Sequence, residues 1–158
     1  GQGDDERGLG KVLSAAFTGL LVVHVIAALI AVSIDWARPF SQSRATAQFI
    51  RDQGLADAFL IGERDTSTAP IAAYLDRRIY FPRGDRVGSY IIYDQRRLAP
   101  VSNSLVDISR AKAKEVGEDV LLISTSPLTD EPPGVRRIGA LTGSVVGDED
   151  FFLYRVAP

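Results

Sequence analysis

The sequence predicts an α/β protein carried on one N-terminal membrane helix, and three observations predict it. From Val12 to Ile34 the chain runs 23 residues without a formal charge. At about 1.5 Å per helical residue that run spans ~34 Å, enough to cross a hydrocarbon core of ~30 Å. Beyond it, short stretches rich in β-branched and aromatic residues alternate with helical patterns of roughly 10–15 residues, the signature of strand–helix–strand units. The last two strand-like stretches follow one another with a Gly-Asp-Glu-Asp turn at 147–150 between them, which fits an antiparallel pair.

Each element has its own warrant. Residues 1–11 form a polar flank and 12–34 the membrane helix, with Trp36 placed where aromatic side chains favour the interface. Residues 35–40 make a connector, and 41–158 make the soluble domain. Ser41-Gln42-Ser43 offers N-caps for a helix whose apolar side is Ala45, Ala47, Phe49 and Ile50, ended by Gly54. Residues 56–62 read as a buried strand, and Thr66-Ser67-Thr68 before Pro70 as a helix start. Residues 78–81 are a short strand stopped by Pro82, and Ser89–Tyr93 a further strand on its β-branched and aromatic content. Ser104-Leu105-Val106-Asp107 opens a third helix closed by Gly117. A buried strand at 119–124, a proline-rich loop at 128–134 and strands at 137–141 and 151–156 complete the chain. The resulting expectation is a small three-layer, Rossmann-like domain, with a mostly parallel sheet and an antiparallel C-terminal pair.

Composition narrows the function. A net charge of −2 gives no field that would draw nucleic acid. The chain has no Cys and a single His, His24, inside the apolar run. Thiolate chemistry, Cys-type zinc sites and a His-based triad are therefore excluded for these residues. No catalytic constellation, metal site or cofactor motif is expected. The chain begins without Met and reads as the C-terminal piece of a longer protein, its last membrane helix plus a tail. Flanking charges lean slightly towards a cytoplasmic tail, a weak signal for a long domain.

The densest chemistry lies between Asp76 and Arg97, where six arginines stand against three aspartates, a local net of +3. Arginine forks suit phosphate and carboxylate, and tyrosines pack against sugars or guanidinium groups. The candidate ligand-binding residues are Tyr80, Arg83, Asp85, Arg86, Asp94 and Arg97. The alternative is a solvated, salt-bridged loop, with Arg86 and Asp94 as an internal pair. Two weaker candidates read as structural: the Gly62–Ser67 turn, where Thr66 or Ser67 would cap a helix, and the acidic Asp148–Asp150 turn.

Part of this segment resembles a known group. Ala73-Tyr74-Leu75-Asp76, Ile79-Tyr80-Phe81-Pro82, Asp85-Arg86-Val87-Gly88-Ser89-Tyr90 and Tyr93-Asp94 with Arg97 are similar to a pattern in the C-terminal soluble domains of bacterial polytopic membrane proteins. Those proteins are glycosyltransferases that use polyprenyl-phosphate sugars, the protein-mannosyltransferase-like group. The likeness covers about a quarter of the chain and departs at Asp65-Thr66-Ser67, where the pattern has an aromatic residue. It implies an extracytoplasmic accessory domain at the bacterial inner membrane, following the last of many spans. The domain would help position a lipid-linked sugar donor or acceptor, with the catalytic acids elsewhere in the parent protein. Its partners would be the bilayer, the other membrane helices and a polyprenyl-phosphate sugar. The alternative from the residues alone is a single-pass, membrane-anchored module for a small anionic ligand.

Overall fold

The computed structural model describes residues 2–98, 101 and 103–158. They divide into two compact units, one ending at Pro39 and the other running from Phe40 to Pro158. The first unit is a single helix, α1 (Gln2–Ala37), whose Leu13–Ala37 stretch is long and apolar enough to cross a membrane. Its polar side chains bond back to their own helix: Thr18 to the Ser14 carbonyl, Ser33 to Leu29 and His24 Nδ1 to Leu20 at 2.8 Å. A carbonyl can only accept, so His24 Nδ1 carries the proton. Such internal pairing satisfies donors that lipid cannot. The helix takes in most of the expected polar flank and runs on to Ala37, into the expected connector. It ends just before Pro39, whose ring disfavours helical geometry at Arg38.

The second unit contains α2 (Ser43–Asp52), β1 (Phe59–Gly62), α3 (Asp65–Leu75), β2 (Ile79–Phe81) and β3 (Arg86–Gly88). A 3₁₀ turn (Gln95–Leu98), α4 (Leu105–Val116), β4 (Val120–Ser124), β5 (Val135–Leu141) and β6 (Phe151–Val156) follow. The six strands form one sheet in the order β3-β2-β1-β4-β6-β5. Only β2, β1 and β4 run parallel; β3 is antiparallel to β2, and β6 to both β4 and β5. The sheet is thus mixed, not mostly parallel. Parallel neighbours need a long crossover, which here only α3 and α4 supply, while both outer connections are turns or loops that reverse the chain.

Side-chain alternation sorts two apolar clusters. On one face Ile50 of α2 and Ile71 and Leu75 of α3 pack on Leu60, Phe81, Leu121, Ile123 and Leu153. On the other, Ala113 of α4 packs on Ile61, Tyr80, Leu122 and Tyr154. Strand neighbours such as Leu60 and Ile61 point to opposite faces, as the two-residue period requires. Gly62 ends β1 against α3: a Cβ there would stand 2.4 Å from the Thr68 hydroxyl oxygen, so only glycine permits this approach.

Three local expectations are corrected. Ser89–Tyr93 is not a strand; β3 lies earlier, because the Pro82–Asp85 corner, with Gly84 at φ 87° and Asp85 at φ 43°, folds Arg86 back opposite Phe81. The strand expected over 56–62 begins only at Phe59, since Ala58 N–H closes a turn onto the Leu55 carbonyl. The helix expected to be capped by Thr66 or Ser67 starts at Asp65, and Arg64 at its N-cap position makes no side-chain cap.

Candidate functional site: a crevice at the carboxyl ends of the parallel strands

The three parallel strands aim their carboxyl ends at one side of the domain. From β1 the chain crosses by α3 to β2, then returns by α4, on the opposite face, to β4 on the other side of β1. Connections that diverge from one strand leave a crevice beyond its carboxyl end, the place where open α/β sheets bind ligands. Here the crevice has a volume of about 420 Å³. It is lined by the Glu63–Thr66 turn after β1, Pro82 and Arg83 after β2, Arg97, Val101, and Asn103 and Leu105 at the approach to α4.

Asp65 is the electrostatic anchor of the wall. Its side chain is only 2% exposed and receives Arg97 as a fork, Nε to Oδ2 at 2.7 Å and Nη2 to Oδ1 at 3.0 Å. Arg86 Nη2 lies 3.8 Å from the same carboxylate and donates to the Tyr90 carbonyl at 2.8 Å. Burial alone pushes the Asp65 carboxyl up, but the hydrogen bonds and charge of Arg97, with Arg86 behind, outweigh it and hold the carboxyl below its ordinary 3.8. Both guanidinium groups also lie over aromatic rings, Arg97 over Tyr93 at 4.9 Å and Arg86 over Phe81 at 5.1 Å. This cluster pins the 3₁₀ turn to the start of α3.

Glu63 fixes a second wall. Its Oε2 lies 2.8 Å from the Ser124 hydroxyl and from the Thr125 N–H, and 3.1 Å from the Thr125 hydroxyl. The ends of β1 and β4 are thereby tied together. Oε1 has no hydrogen-bond partner among the described residues. Arg64 at the mouth pairs with Asp148 at 3.2 Å, both about half-exposed. Arg83, on the corner after β2, has no acidic partner among the described residues.

The six residues singled out from the sequence therefore separate. Arg83 and Arg97 line the crevice. Arg86 stands behind Asp65, and that acid, not Asp94, is its partner. Asp94 instead accepts from the Arg97 backbone N–H and from Arg96 Nε, both at 3.2 Å, which closes the 3₁₀ turn. Tyr80 donates to Asp85 at 2.8 Å, and its ring lies under Lys112 of α4. Burial first, then the bond to Asp85, pushes the Tyr80 phenol up to about 12. In the resembling motif, Asp76 serves as the left-handed C-cap of α3. Glu63 and Asp65 belong to the Gly62–Ser67 turn, which the sequence offers only as a weaker candidate and which reads there as structural; Asn103 carries no signal in the sequence.

The Asp148–Asp150 turn is internally satisfied. Asp148 takes Arg64, Glu149 accepts from Ser41 at 2.6 Å, and Asp150 accepts from the Ser144 hydroxyl and N–H. Among the described residues no group of three or more His, Cys, Asp or Glu is placed to hold a metal ion. No known protein family, curated protein or solved structure matches the chain.

Proposed function

We propose that the domain is a membrane-tethered module that binds the anionic end of a small ligand in this crevice. The observation that carries it is the contrast among the crevice arginines: Arg97 and Arg64 are each paired with an acid, while Arg83 faces the cavity without one among the described residues. An unpaired guanidinium in a concave wall keeps its fork for phosphate or carboxylate. Glu63 also lines the cavity, and its Oε1, without a hydrogen-bond partner among the described residues, is an acceptor suited to a ligand hydroxyl. Helices on both faces of the sheet and a crevice at the strand ends support a reduced Rossmann-like, three-layer description.

The motif resemblance supplies the chemical class, a polyprenyl-phosphate sugar with phosphate on Arg83 and a sugar hydroxyl on Glu63. In that case the domain is an extracytoplasmic, accessory part of a multi-pass glycosyltransferase-like protein at a bacterial plasma membrane. The test is binding of undecaprenyl phosphate to the full chain in detergent, with inorganic phosphate as the lipid-free arm. Arg83→Ala should weaken binding about tenfold, equivalent to ~1.4 kcal/mol, without lowering the melting temperature. Equal binding by wild type and variant would end this reading.

A further inference from the structure

The crevice end of the domain is also the end at which the chain arrives from α1. Val146 N–H reaches the Phe40 carbonyl at 3.4 Å, and Gln42 N–H donates to the Glu149 carbonyl at 3.0 Å. The 142–150 turn holding these partners links β5 to β6. The start of β6 lies beside the carboxyl end of β4, Phe152 opposite Ser124. Only Arg38 and Pro39 separate Ala37 of α1 from Phe40, so covalent geometry allows at most about 10 Å between them.

Large apolar side chains are exposed around this same face. Phe40, Tyr93, Val101 and Val145 are 62%, 77%, 40% and 54% exposed, on four separate stretches of chain. Phe40 and Val145 flank the entry, Val101 lines the crevice, and Tyr93 lies under Arg97 at its rim. Several of the charges among them are paired locally, as Arg64–Asp148 and Arg97–Asp65 show. Such a face sets apolar and aromatic tips among charges of both signs, the combination that favours the headgroup layer of a membrane.

We propose that this carboxyl-end face rests on the headgroup layer of the bilayer that α1 crosses. The crevice then opens towards lipid, and Tyr93 and Val145 are contact points far in sequence from the tether. Because charge does not drive the contact, it forms on zwitterionic lipid and survives high salt. This rests on α1 being membrane-embedded and is independent of what the crevice holds.

The chain has no cysteine, so single-cysteine variants carry one nitroxide each. The experiment places the full chain in phosphatidylcholine nanodiscs and compares label accessibility to oxygen, which enriches in lipid, and to a water-soluble nickel chelate. Leu21→Cys reports α1, Tyr93→Cys and Val145→Cys the proposed face, and Glu118→Cys the opposite end of the sheet. The expected result is nickel accessibility several-fold lower at positions 93 and 145 than at 118, unchanged by 0.5 M salt as an order-of-magnitude screening condition. Equal accessibility at 93, 145 and 118, with Leu21→Cys in lipid, would overturn the proposal. Shielding of 93 and 145 from both reagents would also overturn it, since a protein would then cover the face. A water-exposed Leu21→Cys would remove the membrane reading and this one with it.

Discussion

The turn at Gln95–Leu98 and the corner at Pro82–Asp85 each bring an arginine to the same crevice, yet the two have opposite roles. Arg97 is forked onto a buried aspartate and stacked on a tyrosine, so its guanidinium holds the fold. Arg83 stands at a corner with Gly84 and Asp85 in left-handed geometry and lines the cavity with no acidic partner among the described residues. Across Asp76–Arg97, Arg77, Arg86, Arg96 and Arg97 all have acidic partners, at Asp57, Asp65, Asp94 and Asp65 again. A run of arginines is therefore mainly scaffold. Arg78 and Arg83 have no acidic partner among the described residues, and only Arg83 lines the crevice, so a binding arginine is distinguished by a missing partner together with its place in the fold.

The comparison breaks most decisively at Asp65. Asp65→Ala leaves Arg97 and Arg86 without the buried acid they share. Since the two guanidinium groups keep some access to water, the cost should fall at or below the low end of the ~3–5 kcal/mol that breaking a fully buried pair carries. Arg83→Ala, on an open corner, should change stability by no more than ~0.5 kcal/mol. Denaturant titration of both variants checks this; comparable losses from the two would erase the distinction. The same contrast has a pH form. The Asp65 carboxyl is held below its ordinary 3.8 in the folded state, so its stabilisation is complete above that value. It is lost as pH falls from there through the lowered native value. Asp65→Asn should flatten the acid limb of the stability profile over that window, whereas Arg83→Ala should leave it steep.

How much of this was legible follows from where the deciding contacts lie. Capping and helix ends are local, and Ser104, whose hydroxyl accepts from Asp107 N–H, and Gly117, at φ 78°, sit where their residue types predict. The buried strand β4 shows as an apolar run because both its faces are covered. Ser89–Tyr93 failed because propensity states that a residue fits a sheet, not that an edge strand is still available to pair with. The corner at Gly84 and Asp85 had already placed Arg86–Gly88 on that edge. The pairing of Asp65 with Arg97 spans 32 residues, and Glu63 with Thr125 spans 62. No spacing rule reaches that far. Arg83 and Arg97 were equally good ligand candidates in sequence, and only the position of Asp65 separates them.

A smaller effect sharpens the contrast behind the crevice, where Tyr80 supports the corner from below. Tyr80→Phe removes its bond to Asp85, a loss of about 1 kcal/mol. The phenol is pushed up from 10.0 to about 12 in the folded state. A raised acid pKa means the neutral form is preferred on folding, so this stabilisation is whole below pH 10.0 and disappears as pH climbs towards about 12. Wild type should therefore lose stability faster than Tyr80→Phe across that range in alkaline melts. Parallel curves for the two proteins would show that the phenol titrates freely and does not brace the corner.

The smallest effect is expected at the mouth, where Arg64 meets Asp148. Both side chains are about half-exposed and 3.2 Å apart. Water screens such a pair, and holding two long side chains in one geometry costs entropy, so the net is about 0–1 kcal/mol. Arg64→Ala should lower stability within that range in low salt, and the difference should shrink as ionic strength rises, because the Debye length falls to ~3 Å at 1 M. Asp65→Ala should keep more of its cost in the same buffer, since the Asp65 carboxylate is only 2% exposed. If Arg64→Ala proves as costly as Asp65→Ala and as indifferent to salt, the mouth is part of the scaffold. Arg83 would then remain the one crevice arginine, among the described residues, that the fold leaves available.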